Sequence, residues 1–146
     1  MVARLVEVKT IMVSGGFDPL HIGHVQMMQE AAKRGKLIVA LNSDDWLLRK
    51  KGYVFMPFEE RRSLVEALGC VWIAVAVVDD DNTSIEAIRR NKPTYFANGG
   101  DRTKKNVPEQ AICDELGVEM LWGVGGEDKP QSSSWLVDNA MRQLDD

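Results

Sequence analysis

The sequence predicts an α/β protein built on a doubly wound, five-stranded parallel sheet with helices on both faces. Short apolar runs rich in β-branched residues alternate along the chain with amphipathic stretches of helical period. This alternation is typical of parallel sheets whose crossover helices cover both faces. No repeat, low-complexity tract or linker interrupts the pattern, and 146 residues suit one domain. We therefore assign residues 1–146 to a single domain.

The first half of the chain contains three of the predicted strands and two helices. The strands are placed at 10–14, 36–42 and 71–78, and the helices at 22–34 and 58–69. The third run, "VWIAVAVV", is continuously apolar, which predicts a strand covered on both faces. Residues 43–56 are polar and basic and are predicted to form a loop.

The second half repeats the alternation. A short helix at 84–91, a strand at 94–98 and a Gly-Gly-Asp loop are followed by a helix that opens at Pro108. A fifth strand at 118–122 and a glycine-rich loop at 123–131 precede a last helix, which begins within 132–144. Five strands with these connections predict a Rossmann-like arrangement.

Composition and charge restrict the class of protein. Hydrophobic residues make up 45% and charged residues 27%, a globular balance that argues against disorder. The net charge of -4 does not favour a nucleic-acid partner, although a local basic pocket could still hold a small anion. Cys70 and Cys113 are too far apart in sequence to suggest a zinc or disulfide framework, so we expect buried free thiols. Without a signal peptide or an 18-residue apolar run, we expect a cytoplasmic protein with no membrane partner.

Both histidines of the chain fall in one stretch, "SGGFDPLHIGHV", directly after the first strand. Ligands of such sheets bind at the carboxyl ends of strands, and Gly15 and Gly16 would let one approach the backbone closely. His21 and His24 are three residues apart, so they lie on one face of the next helix, whose N-terminus favours an anion. The stretch predicts a phosphate site. No third ligand at metal-binding spacing is evident, so no metal site is predicted; a purely structural pair is the other alternative.

The same stretch carries a family resemblance. "GGFDPLHIGH" resembles the His-x-Gly-His signature of the cytidylyltransferase-like nucleotidyltransferases. "NSDDWLLRKKG", "FEERR", "ANGGD" and "QSSSWL" are similar to later motifs of that family, in the same order. In size and motifs the chain is most similar to glycerol-3-phosphate cytidylyltransferase and to the nucleotidyltransferase domain of heptose-nucleotide synthases.

The resemblance implies a reaction. Such enzymes join the nucleoside monophosphate of a triphosphate to a phosphorylated small molecule and release pyrophosphate, with Mg²⁺ accompanying the triphosphate. The acceptor phosphate has a second pKa near ~6 and is mostly dianionic at neutral pH, so no general base is needed. Size and segment spacing favour CTP. ATP acting on a sugar phosphate or cofactor precursor is the alternative. The late serine motif does not decide between them, because the chain lacks both the Arg-Thr pair that precedes it in glycerol-3-phosphate cytidylyltransferases and the arginine that often follows it in adenylyltransferases.

The resemblance also implies roles for individual residues. His21, His24 and either Lys50 or Lys51 would act on the phosphates, although the lysine run could equally be a solvated loop. Arg61 and Arg102 would bind the acceptor, with a surface ion pair to a glutamate as the alternative for Arg61. The residues expected to bind the nucleotide are Gly15, Gly16, Phe17, Asp18, Gly23, Gly99, Gly100, Asp101, Ser132, Ser133 and Ser134.

Two other functions are compatible with parts of the sequence. A non-catalytic nucleotide-binding module would need affinity but not the two histidines and the lysine that a transition state requires. A relative of class I aminoacyl-tRNA synthetases would share the His-x-Gly-His motif but would have a much longer chain. A homodimer is also possible, because the apolar third run exceeds what one sheet needs.

Overall fold

The computed structural model describes residues 7–99, 107–126 and 131–145. Five strands and six helices alternate within these ranges. The strands are β1 (Thr10–Gly15), β2 (Lys36–Leu41), β3 (Val71–Ala76), β4 (Tyr95–Gly99) and β5 (Glu119–Val124). The helices are α1 (Ile22–Ala31), α2 (Asp44–Lys51), α3 (Phe58–Glu66), α4 (Ile85–Asn91), α5 (Gln110–Leu116) and α6 (Ser133–Asp145).

The strands form one sheet in the order β3-β2-β1-β4-β5, and every neighbouring pair is parallel. The predicted doubly wound parallel sheet is therefore confirmed. Strand order reverses between β1 and β4, so the crevice expected for a ligand lies at the carboxyl ends of these two strands.

Side chains alternate between the two faces of β1, as strand geometry requires. Ile11 and Val13 pack in one buried cluster with Met28 of α1 and with α3, whereas Met12 packs in a second cluster with α4 and α5. Helices thus cover both faces, as predicted. Packing on both faces fixes the position of β1, and the β1–α1 loop begins at the carboxyl end of this strand.

The prediction of a loop over 43–56 is wrong, because α2 occupies most of that segment. Ser43 caps the helix, its Oγ accepting a hydrogen bond from the Trp46 amide at 3.0 Å. Acidic residues occupy the first turn and basic residues the last, which suits the helix dipole. Gly52 ends the helix in the left-handed conformation, with φ 86°. The start and stop signals were present in the sequence, but the polar composition obscured them.

The expectation that both faces of the third strand are covered holds for Ala74 on one face and for Ile73 and Val75 on the other, which pack against the two core clusters, but not for Trp72. β3 is the edge strand of the sheet and ends at Ala76. Trp72 is 50% exposed, and the Lys36 ammonium lies 4.9 Å from its ring centroid. An edge strand has a sheet neighbour on one side only, so its apolar residues are less enclosed than a continuous apolar run suggests.

Both cysteines are free thiols. Burial raises the pKa of the Cys113 thiol to about 11, and the nearby Glu109 and Asp114 carboxylates contribute to the same shift. Cys113 is therefore protonated at neutral pH and is not a nucleophile. Cys70 is half-buried.

The last helix, α6, contains no buried residue. Its thirteen residues include Met141 and Leu144, the latter 80% exposed. Within the described ranges, no helix is both long and apolar enough to cross a membrane. The homodimer stays a prediction.

Candidate active site

The two histidines open α1 together. His21 is the N-cap, and its Nδ1 accepts a hydrogen bond from the Gly23 amide at 3.0 Å. His24 lies three residues on, and its Nδ1 accepts from the His21 amide at 3.3 Å. Because each Nδ1 accepts a backbone N–H, the neutral rings carry their hydrogen on Nε2. The local backbone thus orients two Nε2–H donors at the N-terminus of a helix.

The His24 ring is held from two sides. It stacks on His21 at a centroid distance of 3.7 Å and meets Phe17 edge-on at 4.9 Å. Phe17 is buried and adopts φ 52°, which is uncommon for a residue with a side chain. Phe17, which we predicted to bind nucleotide, therefore lies beneath the histidines and fixes the orientation of His24.

The two glycines before Phe17 lie close to side chains of the protein itself. A Cβ on Gly15 would lie 3.1 Å from Cζ of Phe17, and one on Gly16 would lie 2.8 Å from Cδ2 of Leu47 on α2. A Cβ at these positions would require the Phe17 ring or the Leu47 side chain to shift. That both glycines let a ligand approach the backbone stays a prediction, and the protein's own packing is a second reason for them.

Asp18, another predicted nucleotide ligand, faces the protein instead. It is 2% exposed, and its carboxylate accepts hydrogen bonds from the amides of Phe55 at 2.7 Å and Met56 at 2.6 Å. The Lys51 ammonium lies 3.6 Å from the same carboxylate. Asp18 thereby fastens the α2–α3 connection to the β1–α1 loop.

Lys50 and Lys51, of which the sequence assigned one to the phosphates without deciding which, make different contacts in the structure. Nζ of Lys51 donates to the Asp18 carbonyl oxygen at 2.5 Å, so this ammonium contacts the loop that leads to the histidines. Nζ of Lys50 lies 4.6 Å from the ring centroid of Trp46, and Lys50 is exposed. The geometry therefore brings Lys51 to the candidate site.

Arg61 is 0% exposed and takes no part in a surface ion pair with a glutamate, so that alternative is wrong. Its guanidinium donates to the carbonyl oxygens of Gly16 and Asn42, both at 2.8 Å, and of Met56 at 2.9 Å. A further hydrogen bond reaches Oδ1 of Asp44 at 2.6 Å. Enclosed by these contacts, the guanidinium holds the loop in place and does not face an acceptor, contrary to our prediction.

The N-terminus of α6 meets the same loop. Ser132 is buried and caps the helix, its Oγ accepting from the Trp135 amide at 3.5 Å. Ser133 Oγ donates to the Pro19 carbonyl oxygen at 2.8 Å, and Ser134 is exposed. The serine motif therefore supplies both an ordinary cap and a contact to the β1–α1 loop.

The remaining predicted residues lie after β4. Gly99 is the last residue of this strand and pairs with Val124 of β5, so it stands at the carboxyl edge of the sheet. Gly100, Asp101 and Arg102 lie outside the described residues. Their predicted roles toward the nucleoside and the acceptor stay predictions.

Magnesium would reach this site together with a triphosphate. In the part of the chain that the structure describes, no group of three His, Cys, Asp or Glu side chains could hold a metal. Mg²⁺ usually keeps several waters and binds substrate phosphates rather than an all-protein cage. The described residues fit that mode, because they offer donors to phosphate and leave the metal to phosphate oxygens and water.

These elements bring hydrogen-bond donors and one ammonium group together around one loop. The N-terminus of α1, two Nε2–H donors, the Lys51 ammonium and the N-terminus of α6 meet around residues 18–24. Helix N-termini and oriented donors stabilise negative charge, and the Lys51 ammonium adds positive charge that the Asp18 carboxylate at 3.6 Å partly offsets. Chemically, the arrangement can bind a chain of phosphates and stabilise charge that develops on one of them.

Comparisons with known proteins show the family to which the chain belongs. Residues 12–136 match the family model described as cytidylyltransferase-like. The chain is 32% identical over 139 residues to the bifunctional protein HldE of Geobacter metallireducens and 37% identical over 116 residues to that of Streptomyces coelicolor. These matches cover 92% and 77% of this chain, but 27% and 25% of the relatives, so the chain spans about a quarter of their length.

Solved structures show the same fold. A lipopolysaccharide core biosynthesis protein from Thermoplasma volcanium superposes with a TM-score of 0.66 at 24% identity, covering 80% of this chain and 95% of the other. A protein of unknown function from Archaeoglobus fulgidus gives 0.61 at 17% identity, with coverages of 85% and 96%. Sequence and fold agree that the chain belongs to the cytidylyltransferase-like family of nucleotidyltransferases.

Proposed function

We propose that this protein transfers the nucleoside monophosphate of a nucleoside triphosphate to a phosphorylated small molecule and releases pyrophosphate. One observation carries the proposal. The reciprocal hydrogen bonds of His21 and His24 fix two Nε2–H donors at the start of α1, where the phosphates of a nucleotide are expected in this fold. Binding alone would not require two donors oriented so rigidly.

The residues suggest how the reaction proceeds. A phosphate oxygen of the acceptor attacks the α-phosphorus in line, and the bond from that phosphorus to the bridging oxygen of the leaving pyrophosphate breaks. His24 donates to an α-phosphate oxygen as negative charge builds there. Lys51 and the N-terminus of α6 neutralise the departing phosphates. Mg²⁺ bound to the triphosphate supplies further charge neutralisation. The acceptor dianion needs no base.

For the nucleotide and the acceptor, we propose ATP and a sugar phosphate. From the sequence alone, CTP is favoured and ATP with a sugar phosphate is the alternative. The curated relatives are HldE proteins, which corresponds to the heptose-nucleotide branch of the resemblance and favours that alternative. The CTP preference rested on size and spacing, which both branches share.

We expect pyrophosphate release from ATP, in the presence of Mg²⁺ and a panel of sugar phosphates, to exceed release from CTP at least about tenfold. Coupled pyrophosphate assays with the four nucleotides and each acceptor would measure this. Release from CTP alone would restore the cytidylyltransferase interpretation. Thermal stabilisation by a nucleotide, about 2.7 kcal/mol at 100 times its Kd, without any turnover would indicate a binding module. Activity that requires tRNA would indicate the synthetase alternative.

Replacing Lys51 with alanine should lower kcat/KM about 10²-fold, because a charge next to the leaving phosphates is lost. Lys50→Ala is the matched control: it removes the same charge from the adjacent position of α2, and we expect less than about a threefold effect for an exposed lysine. Steady-state kinetics of both variants, with their unfolding free energies, would test the assignment. The reverse order of the two effects would assign the phosphates to Lys50.

A further inference from the structure

The turn that follows β3 contains a buried carboxylate with no part in the mechanism above. Asp79 is 3% exposed and lies at the carboxyl edge of the sheet, beyond the end of β3. Its Oδ2 accepts hydrogen bonds from Nδ2 of Asn42 at 3.1 Å and from the Ser43 amide at 2.7 Å. Because these donors belong to residues 42 and 43, the buried carboxylate binds the segment that follows β2.

That segment is the start of α2. Oγ of Ser43 donates to Oδ1 of Asp79 at 2.6 Å and accepts from the Trp46 amide at 3.0 Å. Asp79 therefore fixes the direction of the Ser43 hydroxyl, so that a lone pair faces the helix N-terminus. Its negative charge at this end also suits the helix dipole.

A second contact comes from within α2. Nη2 of Arg49 donates to the Asp79 carbonyl oxygen at 2.8 Å and lies 3.9 Å from Oδ1 of the same residue. Nε of Arg49 donates to Oδ1 of Asn82 at 3.2 Å. The turn at 79–82 thus holds α2 both at its cap and at its second turn.

α2 depends on such contacts, because it has only eight residues, and isolated helices that short are marginal in water. Its last residue is Lys51, whose ammonium contacts Asp18 on the histidine loop. We propose that Asp79 is a positioning residue for the transfer reaction: it fixes α2 and thereby places Lys51 at the phosphates. This inference rests on the proposed function of Lys51.

The test compares Asp79→Asn with Asp81→Asn, a matched control in the same turn. The Asp81 carboxylate accepts hydrogen bonds from the amide and the hydroxyl of Thr83, which lie in the same turn and not in α2. The asparagine at 79 keeps the side-chain volume but turns one acceptor into a donor. We expect kcat/KM to fall about tenfold for Asp79→Asn, as befits a lost hydrogen bond to a charged group, and less than about twofold for Asp81→Asn.

A double-mutant cycle with Lys51→Ala separates positioning from general stability. If Asp79 acts through Lys51, Asp79→Asn changes kcat/KM of the Lys51→Ala protein by less than about twofold. If the double variant instead lost kcat/KM by the product of the two single-variant losses, Asp79 would act independently of Lys51 and the proposal would be overturned. Ser43→Ala removes the hydroxyl that connects Asp79 to α2, and we expect it to lower kcat/KM less than Asp79→Asn does. The same cycle can be run with Ser43→Ala and Lys51→Ala if Asp79→Asn does not fold.

Hydrogen exchange gives a readout that does not depend on activity. Amide protection across α2 should fall about tenfold in Asp79→Asn or Ser43→Ala and stay unchanged in Asp81→Asn. Unchanged protection of α2 in both variants would refute the role of Asp79. An inactive wild-type protein, or a fully active Lys51→Ala protein, would refute the proposed function instead and would remove the catalytic part of the inference.

Discussion

Replacing His24 with asparagine is expected to lower kcat about 10²- to 10³-fold, the loss typical of removing one preorganised transition-state donor. Asparagine places its carbonyl oxygen where Nδ1 of His24 now accepts the His21 amide at 3.3 Å, so the start of α1 keeps its cap. It has nothing at the position of Nε2. The variant therefore removes the donor to the α-phosphate and little else. Steady-state kinetics with ATP and the best acceptor would measure the loss.

Two further measurements make this prediction specific. KM for the nucleotide should change far less than kcat, because the donor is used chiefly in the transition state. His24→Gln, whose amide nitrogen reaches closer to the position of Nε2, should recover part of the activity while losing the cap hydrogen bond. A His24→Asn enzyme with wild-type kcat would exclude His24 from the chemistry.

The sequence predicts the location of the candidate site because the motif lies at the place where this topology binds ligands. The string from Gly15 to His24 follows a strand and opens a helix, and in a doubly wound fold that place binds ligands whatever the rest of the chain does. Helix geometry alone puts His21 and His24 together. Their reciprocal caps were not predicted, because histidine is an unusual capping residue and propensities do not suggest it.

The roles of Asp18 and Arg61 could not be predicted from the sequence. A motif shows which residues occur together, but not whether a polar side chain points toward the ligand or back into the protein. Both residues face inward here and hold the loop to α2 and its connection. Such contacts join positions 37 and 45 residues apart, and no spacing rule connects them.

The missed helix α2 has a related cause. Ser43 and Gly52 are ordinary start and stop signals, but the intervening residues are mostly charged and give little helical periodicity. The helix is stabilised from outside by Asp79, Arg61 and Asp18. Because tertiary contacts of this kind override local pattern, the sequence pattern alone predicts a loop where the chain forms a helix.

Replacing Arg61 with methionine is expected to lower the free energy of unfolding by about 3–5 kcal/mol, because three carbonyl oxygens inside the protein lose their donor at about 1–3 kcal/mol each. The carbonyl oxygens of Gly16 and Asn42 would lose their donors, and Asp44 would lose its cation. Methionine restores the volume but none of the hydrogen bonds. Lysine keeps the charge but cannot donate in a planar fork, so Arg61→Lys should be only partly better.

Arg62→Met provides the control for Arg61→Met. Arg62 is the next residue of α3, and its ion pair with Glu66 at 2.9 Å is exposed, so we expect a change within about 0.5 kcal/mol. Denaturant unfolding of the two variants would give the difference. If Arg61→Met were as stable as Arg62→Met yet bound the acceptor poorly, the guanidinium would serve the substrate rather than the loop. Loss of stability as expected would make Arg61 the connection that keeps the histidine loop, α2 and the α2–α3 segment in one arrangement.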